Sequence, residues 1–333
     1  MKSTVKFLVI LLVAQIILSL GIPLSSKDMT AKSVPVNLLT FDEDSVDKLI
    51  ISGPDDSHVQ LANIDGRWVL PQKQNFPANT AKVEQLLAQL STTQVTHPVA
   101  TSKSAQKRFH VSDNTFERRI TLKAADKTLT QVYLGSSAAM QQVHARTDKS
   151  DDIYAIKMAT YTIPVDSNDW VDKSLVQIDK SAITDLTVNG LGIQRSTVSA
   201  PEASEPNEHA EPGLSPAWEA PTLAANKKLD NDGVNTLVGL IANIQYDAVL
   251  GKDNKAEYHL STPLLSLTVT TDKQDDIDYQ IGKDDNDRYI LKVSTRPEYF
   301  ALADYRATAL IDAAANDKLT PMTEKEQDSA VEH

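Results

Sequence analysis

Phe109-His110-Val111-Ser112 returns as Tyr258-His259-Leu260-Ser261, and the residues around both copies follow one order. Upstream of each lies an apolar stripe, Val83, Leu86, Leu87 and Leu90 in the first copy and Val234, Leu237, Val238 and Ile241 in the second. The i, i+3, i+4, i+7 spacing predicts one buried helix face in each copy. Further upstream a tryptophan closes a short strand pattern, Trp68 lying 15 residues before Val83 and Trp218 lying 16 before Val234. Downstream a strand pattern ends at a glycine, Val132-Tyr133-Leu134-Gly135 and then Tyr279-Gln280-Ile281-Gly282. Self-similarity at a spacing of about 150 residues marks a duplicated module. What the copies share is core pattern, with no recognisable chemistry in it.

Working outward from the repeat, Val46–Ile51 reads as a strand and Gly53–Asp56 as a turn. Val59–Ala62 gives a second strand, Asn63–Gly66 a hairpin turn and Arg67–Leu70 a third strand. Asn79 is placed to cap the first helix. Alternating strands follow at Arg119–Lys123, Leu129–Leu134, Val143–Arg146 and Ile153–Ile156. The second module opens with Ile183–Val188, the turn Asn189-Gly190 and a strand from Leu191 to about Val198. Where the first copy turns at Asp65-Gly66, the second carries 199–217, rich in Pro, Glu, Ser and Ala, which reads as a disordered insertion. The expected fold class is α+β, with two tandem repeated modules, each a mainly antiparallel sheet with a packed helix, after an N-terminal transmembrane helix. The expected boundaries are 1–24 anchor or signal peptide, 25–40 spacer, 41–165 first module, 166–180 connector, 181–315 second module and 316–333 disordered tail.

The amino terminus carries Lys2 and Lys6 and then runs apolar from Phe7 to Leu24, broken only by Gln15, Ser19, Gly21 and Pro23. As a helix, these 18 residues would span about 27 Å, close to the roughly 30 Å hydrocarbon core of a bilayer. An uncleaved anchor is the preferred reading. Ser19-Leu20-Gly21 keeps a cleaved signal peptide in play, although it is not the preferred Ala-x-Ala and the apolar run continues past it. The two lysines place that end in the cytoplasm and the remainder outside. No cysteine follows, so lipid attachment at a cysteine is excluded.

The absence of cysteine also removes disulfides, thiolate catalysis and cysteine zinc sites. Lys plus Arg number 33 against 45 Asp plus Glu, and a net charge of −12 argues against nucleic acid, whose phosphates need a basic surface. With 41 % hydrophobic residues and 309 residues after Leu24, the chain has material for two domains.

The chain resembles an uncharacterised bacterial domain-of-unknown-function family, the one numbered four-three-four-zero. The resemblance rests on the N-terminal anchor, Arg67-Trp68, Phe76-Pro77-Ala78 before the Val83 helix and the aromatic-x-aliphatic step at Phe109. It continues through Leu134-Gly135, Ile281-Gly282, Asp152-Ile153-Tyr154 and Trp170-Val171-Asp172-Lys173-Ser174-Leu175, and covers about residues 45 to 310. These motifs are moderately specific as a set and weak singly. Members of that family are typically found beside gliding-motility-type ABC transporter auxiliary proteins, which implies an envelope accessory role. The family carries over no catalytic residues, and the 199–217 insertion departs from its pattern.

No catalytic, cofactor or metal constellation emerges from the residues. His110 and His259 recur in register, yet neither has a second His or a Glu at metal-ligand spacing, and strand packing after a buried aromatic accounts for them. Asp284-Asp285-Asn286-Asp287 lacks the glycine and distant Glu of a calcium loop and reads as a solvated hairpin turn, with Asp148–Asp152 as its counterpart. There is no Gly-x-Ser-x-Gly turn, no Ser-x-x-Lys at a helix entry and no phosphate loop, and Lys103-Ser104 reads as loop. Trp68, Trp218 and Trp170 are the interface candidates. The expectation is a non-enzymatic, single-pass protein of the bacterial inner membrane, N-terminus cytoplasmic and modules periplasmic. Its partners would be envelope or inner-membrane proteins, with ABC transporter components implied by the resemblance. The alternative is a binding module for a glycan or small envelope ligand in the cleft between the modules.

Overall fold

The computed structural model describes Gln15 and residues 34–196, 217–224 and 227–321. Among the described residues no helix is long and apolar enough to cross a membrane. The expected anchor (except Gln15) and nearly all of the expected insertion lie outside them.

In the first module the strands are β1 (Val36–Asn37), β2 (Lys48–Ser52), β3 (His58–Ile64), β4 (Arg67–Leu70), β5 (Phe76–Pro77) and β6 (Gln94–Val95). They continue with β7 (Val111–Ser112), β8 (Thr115–Phe116), β9 (Arg118–Ala124), β10 (Lys127–Ala139), β11 (Gln142–Thr147) and β12 (Tyr154–Lys157). Helix α1 is Thr80–Thr92 and α2 is Lys103–Arg108. The second module has β13 (Ile183–Val188), β14 (Leu191–Arg195), β15 (Trp218–Glu219), α3 (Asn231–Ala242), β16 (Ala248–Gly251), β17 (Leu265–Thr271), β18 (Asp276–Lys283), β19 (Tyr289–Val293) and β20 (Tyr299–Leu302). It closes with α4 (Asp304–Ala313) and α5 (Asn316–Leu319).

The two eight-stranded antiparallel sheets run β12-β11-β10-β9-β2-β3-β4-β5 and β16-β20-β19-β18-β17-β13-β14-β15. Seven strands of each sheet match, three before the helix (β2–β4 and β13–β15) and four after it (β9–β12 and β17–β20), with the fourth returning beside the first, so the duplication inferred from Phe109 and Tyr258 is a duplication of topology; the eighth strand differs, β5 beside β4 in the first sheet and β16 beside β20 in the second. Burial alternates along β2, with Leu49 and Ile51 fully buried between half-buried Lys48, Ile50 and Ser52, and this sets the register against β3 and β9. Helix α1 starts where the Asn79 side chain accepts the Lys82 amide, and it buries Val83, Leu86, Leu87 and Leu90. Helix α3, capped by Asp230, buries Val234, Leu237, Val238 and Ile241 in the same way.

The glycine motif differs from the strand end expected for it. Strand β10 continues past Gly135 to Ala139, and β18 runs one residue past Gly282. In each copy the aromatic-His segment crosses the sheet at that point. A Cβ on Gly135 would lie 2.0 Å from the Phe109 carbonyl oxygen, and one on Gly282 would lie 2.3 Å from that of Tyr258. The histidine after each aromatic takes the left-handed conformation, φ 57° at His110 and 49° at His259. Aromatic, histidine and glycine are therefore one device that seats a small second layer on the sheet face opposite the helix. That layer gathers Phe109, Val111, Tyr133 and Ile153 in the first module and Tyr258, Leu260, Ile290 and Tyr299 in the second.

Several local expectations are corrected. Lys103-Ser104, read as loop, opens α2, so that Ser104-Ala105-Gln106-Lys107 is a Ser-x-x-Lys at a helix entry, contrary to expectation; Gln106 is buried against Asp151. The hairpin at Asp284–Asp287 corresponds topologically to Met140-Gln141 between β10 and β11, while Asp148–Asp152 lies in the next connection. Residues 316–321 are not tail: Leu319 is fully buried and its carbonyl accepts the Asp230 amide, which fixes α5 beneath the start of α3. The connector is part of the fold, since Val171 bridges Ala78 and the Asn79 amide donates to the Trp170 carbonyl.

One continuous hydrophobic core joins both modules. At the seam Phe76, Tyr246 and Phe300, each 2 % exposed or less, pack edge-on and tilted with ring centroids 4.3 to 6.3 Å apart. Polar clamps surround them: Tyr246 donates its hydroxyl to the Asp172 carbonyl, Lys73 Nζ donates to the Val249 carbonyl (3.2 Å), and the Val249 amide donates to Asn168 Oδ1 (3.2 Å). Burial pushes the Tyr246 phenol far above its ordinary range.

Candidate binding groove

Helix α1 buries one stripe and turns the neighbouring one, Lys82, Gln85 and Gln89, towards an open groove of about 680 Å³. The groove lies between that stripe, the Met140–Gln142 hairpin and the Lys157–Ile163 segment after β12. Its volume falls within the roughly 300–1,000 Å³ usual for ligand sites. Leu86, Met158, Ile163 and Trp170 form an apolar floor, each at most 5 % exposed. On the rim stand Met140 and Tyr161, 91 % and 78 % exposed, in a chain that otherwise buries most of its large apolar side chains.

Local bonding explains why these walls hold their shape. Trp170 donates Nε1–H to the Pro164 carbonyl at 2.9 Å, and Lys82 Nζ sits 4.6 Å from its ring while donating to the Asp169 carbonyl at 2.9 Å. Burial lowers the Lys82 pKa from the usual lysine value, with Asp169 opposing that shift. Gln89 Nε2 donates to the Lys157 carbonyl at 3.2 Å, fastening the helix to the last residue of β12. Two lysines and no carboxylate line this groove, although the chain carries −12 overall. The lining offers amides, cations and exposed apolar surface, and its titratable side chains are Lys82, Lys157 and Tyr161.

The three tryptophans lie inside. Trp68, Trp218 and Trp170 are 4 %, 2 % and 1 % exposed, so all three are core residues first. Trp68 and Trp218 are matched core residues of β4 and β15, and Trp218 donates Nε1–H to Asn235 of α3 at 2.9 Å. Trp170 alone among them borders the groove, as part of its floor.

His110 pairs with Glu117 (Nδ1 to Oε1, 3.1 Å) and His259 with Asp285 (Nε2 to Oδ1, 2.8 Å), so each has a carboxylate partner that its spacing in the sequence concealed. Among the described residues no cluster of three or more His, Asp or Glu is arranged to hold a metal. In the acidic hairpin Asp284 is not solvated: its side chain is 1 % exposed and accepts from the Asn286 amide, the Arg288 amide and the Arg288 guanidinium at 2.8–3.0 Å. Burial alone would raise its pKa, but the hydrogen bonds from Arg288 and Asn286 outweigh it and hold the carboxyl below the usual range. Arg146, also buried, anchors the β7–β8 turn through the Val111 carbonyl and Asp113 Oδ1, both at 2.6 Å. At the module seam the space left beside Lys73 and Val249 is about 220 Å³.

A family model described as "Domain of unknown function (DUF4340)" matches residues 68–263, from the Trp68 strand to just past the second aromatic-His turn. No curated protein and no solved structure matches the chain.

Proposed function

The chain belongs to the DUF4340 family, and from that premise we propose that it is a non-enzymatic accessory or scaffold protein of the bacterial envelope. In this reading Phe7–Leu24 anchors it in the inner membrane, Lys2 and Lys6 stay cytoplasmic, and the fused modules present a binding face in the periplasm. The observation that carries the reading is the groove beside α1: exposed Met140 and Tyr161 over an apolar floor form a surface suited to recognition. The shared core supports a scaffold role, because it holds that face rigidly relative to the second module. Inner-membrane proteins, including components of ABC-type export machines, are the proposed partners. Crosslinking and affinity capture from native membranes should recover such a component with the full chain. Recovery of the chain alone under several mild detergents would overturn the proposal. A phosphatase fused after Thr320 should be active and a cytoplasm-dependent fluorescent reporter dark; reversed signals would refute the topology.

A second reading, a binding module for a glycan or small envelope ligand, draws on the same groove's volume. Thermal-shift measurements with peptidoglycan fragments and oligosaccharides separate the two, since stabilisation by one such class favours the ligand reading.

A further inference from the structure

The two modules are alike in topology but unequal in cover, and the difference falls at the groove. The matched helices align at an offset of 151 residues, Val83 with Val234 and Leu90 with Ile241, so Lys82, Gln85 and Gln89 correspond to Gly233, Thr236 and Leu240. In the second module the two ends of that stripe, Gly233 and Leu240, are half-buried by the chain itself, while Thr236 between them is exposed. Helices α4 and α5 pack along α3. A Cβ on Gly233 would lie 2.5 Å from the Lys318 carbonyl oxygen, and Leu240 borders, with Leu302, Tyr305 and Leu310, a hollow of about 310 Å³, less than half the size of the groove beside α1. The start of α4 also stands near the β18–β19 hairpin, where Asp304 acts on the charge of Lys283. In the first module the corresponding stripe, the corresponding hairpin at Met140 and the segment after β12 enclose an open groove, because the chain makes only a short turn at Thr160–Thr162 before passing on to Trp170.

We propose that this groove seats an amphipathic, acidic helix supplied by a partner protein, lying against α1 as α4 lies against α3. The proposal rests on the accessory reading and names its docking surface. Size allows partial seating: the two turns that carry an i to i+7 ridge fill roughly 1,000 Å³ in a helix about 10–12 Å across, so a groove of about 680 Å³ takes the ridge side of such a helix and leaves its outer side in solvent. Charge agrees as well. Gly233 and Leu240 suit a stripe partly closed by the chain's own helix, whereas the matching positions 82 and 89 are Lys and Gln, and Lys157 adds a second cation to a wall without carboxylates. A helix with an apolar ridge on Met140 and Tyr161 and with Asp or Glu beside it complements such walls.

The test uses the full chain in native membranes, with a photoreactive phenylalanine analogue at Tyr161 in one version and at Tyr305 in another. The Tyr161 version should crosslink to a peptide of another protein whose apolar residues fall at i, i+3, i+4 and i+7 with acidic residues flanking them. The yield should fall severalfold in Gln85→Glu/Lys157→Glu, two exposed sites whose change leaves the melting temperature in place, and it should fall with added salt. Crosslinks to residues 322–333 of this chain, to lipid or glycan, or to a segment without that pattern would overturn the proposal, as would a yield indifferent to the charge changes. Capture through Tyr305 alone would reject the groove and leave the accessory reading standing. Capture through neither position would count against both.

Discussion

Gly135→Ala tests the device that builds both modules. The added methyl would sit 2.0 Å from the Phe109 carbonyl oxygen, 2.5 Å from that of His110 and 2.8 Å from the His110 carbonyl carbon. Comfortable non-bonded separations are about 3.5–4.0 Å, so more than an ångström has to be found, and it has to come from backbone. Moving the Phe109-His110 turn outward also stretches the bond from the Ser136 amide to the Phe109 carbonyl, now 2.9 Å, and lifts Phe109 off the second-layer core. Overpacking of this kind costs about 1–3 kcal/mol, and a broken hydrogen bond adds about 1 kcal/mol. The sum is about 2–4 kcal/mol, a sizeable part of the 5–15 kcal/mol typical of a folded protein. Gly282→Ala should behave alike, 2.3 Å from the Tyr258 carbonyl oxygen. Gly239→Ala is the contrast: nothing lies within 4 Å of its added methyl, and it sits inside α3, so it should stabilise by about 0.5–1 kcal/mol. Urea titrations followed by circular dichroism and tryptophan fluorescence give the midpoints, compared at constant m. If Gly135→Ala stays within about 0.5 kcal/mol of the parent, where ordinary surface changes fall, the crossing of turn over strand is not tightly packed and the account of the repeat fails.

Leu87→Ala removes a side chain 4 % exposed and should cost about 2–5 kcal/mol by the same titration; a silent change would mean the stripe of α1 is not core. Tyr246→Phe strips the donor from the buried Asp172 carbonyl at the seam and should cost about 1–3 kcal/mol in one cooperative transition, whereas two separate transitions would show that the modules do not share a core. Because the folded Asp284 carboxyl lies below its unfolded value of about 3.9, its contribution is complete above that pH and is lost as pH falls through the lower folded value. The stability gap between the parent and Asp284→Asn should therefore be level from pH 7 to about 5 and shrink below about 4; a gap that widens in acid would contradict the sign. Replacing 201–216 by a short turn should change stability by less than about 1 kcal/mol, because the closure cost of a loop varies only logarithmically with length and the Ser196 amide already bonds the Ala217 carbonyl at 2.9 Å across its base. Loss of the β14–β15 pairing in that deletion would show the segment to be structural.

The parts of the fold legible in the sequence are those written in periodicity. Both helix stripes, the Asn79 cap and the Arg67–Leu70 strand announce themselves because spacing alone dictates which side chains share a face. Helix α4 was not legible: Ala307 and Leu310 are its buried positions, too few to give a stripe, and it is held by packing on α3. The role of Gly135 reads as strand termination because a close backbone approach leaves no local trace; its signal is the recurrence of a glycine at the same place in the strand order after the aromatic, at Gly135 and at Gly282. The groove stayed hidden for a related reason. Lys82, Gln85 and Gln89 look like any solvated helix flank until the structure brings Met140 and Tyr161 opposite them, and only comparison with Gly233 and Leu240, both half-buried, shows that the matching stripe is partly covered in the other module.

That asymmetry constrains how the molecule can work. Proteins built from two modules commonly act by closing on a ligand, and such closure requires an interface that is small or polar enough to open. Here the seam is made of Phe76, Tyr246 and Phe300 inside a single core, so prising it apart would part Phe76 from two rings of a kind that bury roughly 150–250 Å² each. Tyr246 and Phe300 belong to one module and keep their mutual contact, so about one ring's area is newly exposed, which at about 25 cal/mol per Å² comes to roughly 4–6 kcal/mol, a large part of a domain's stability. Hinge closure at the seam is therefore costly to this fold, and recognition is favoured on an outer face that is ready-made. The face of α1 that the duplication left without a companion helix is such a surface, and a binder using it would show little conformational change and an affinity governed by salt and by the exposed Met140 and Tyr161.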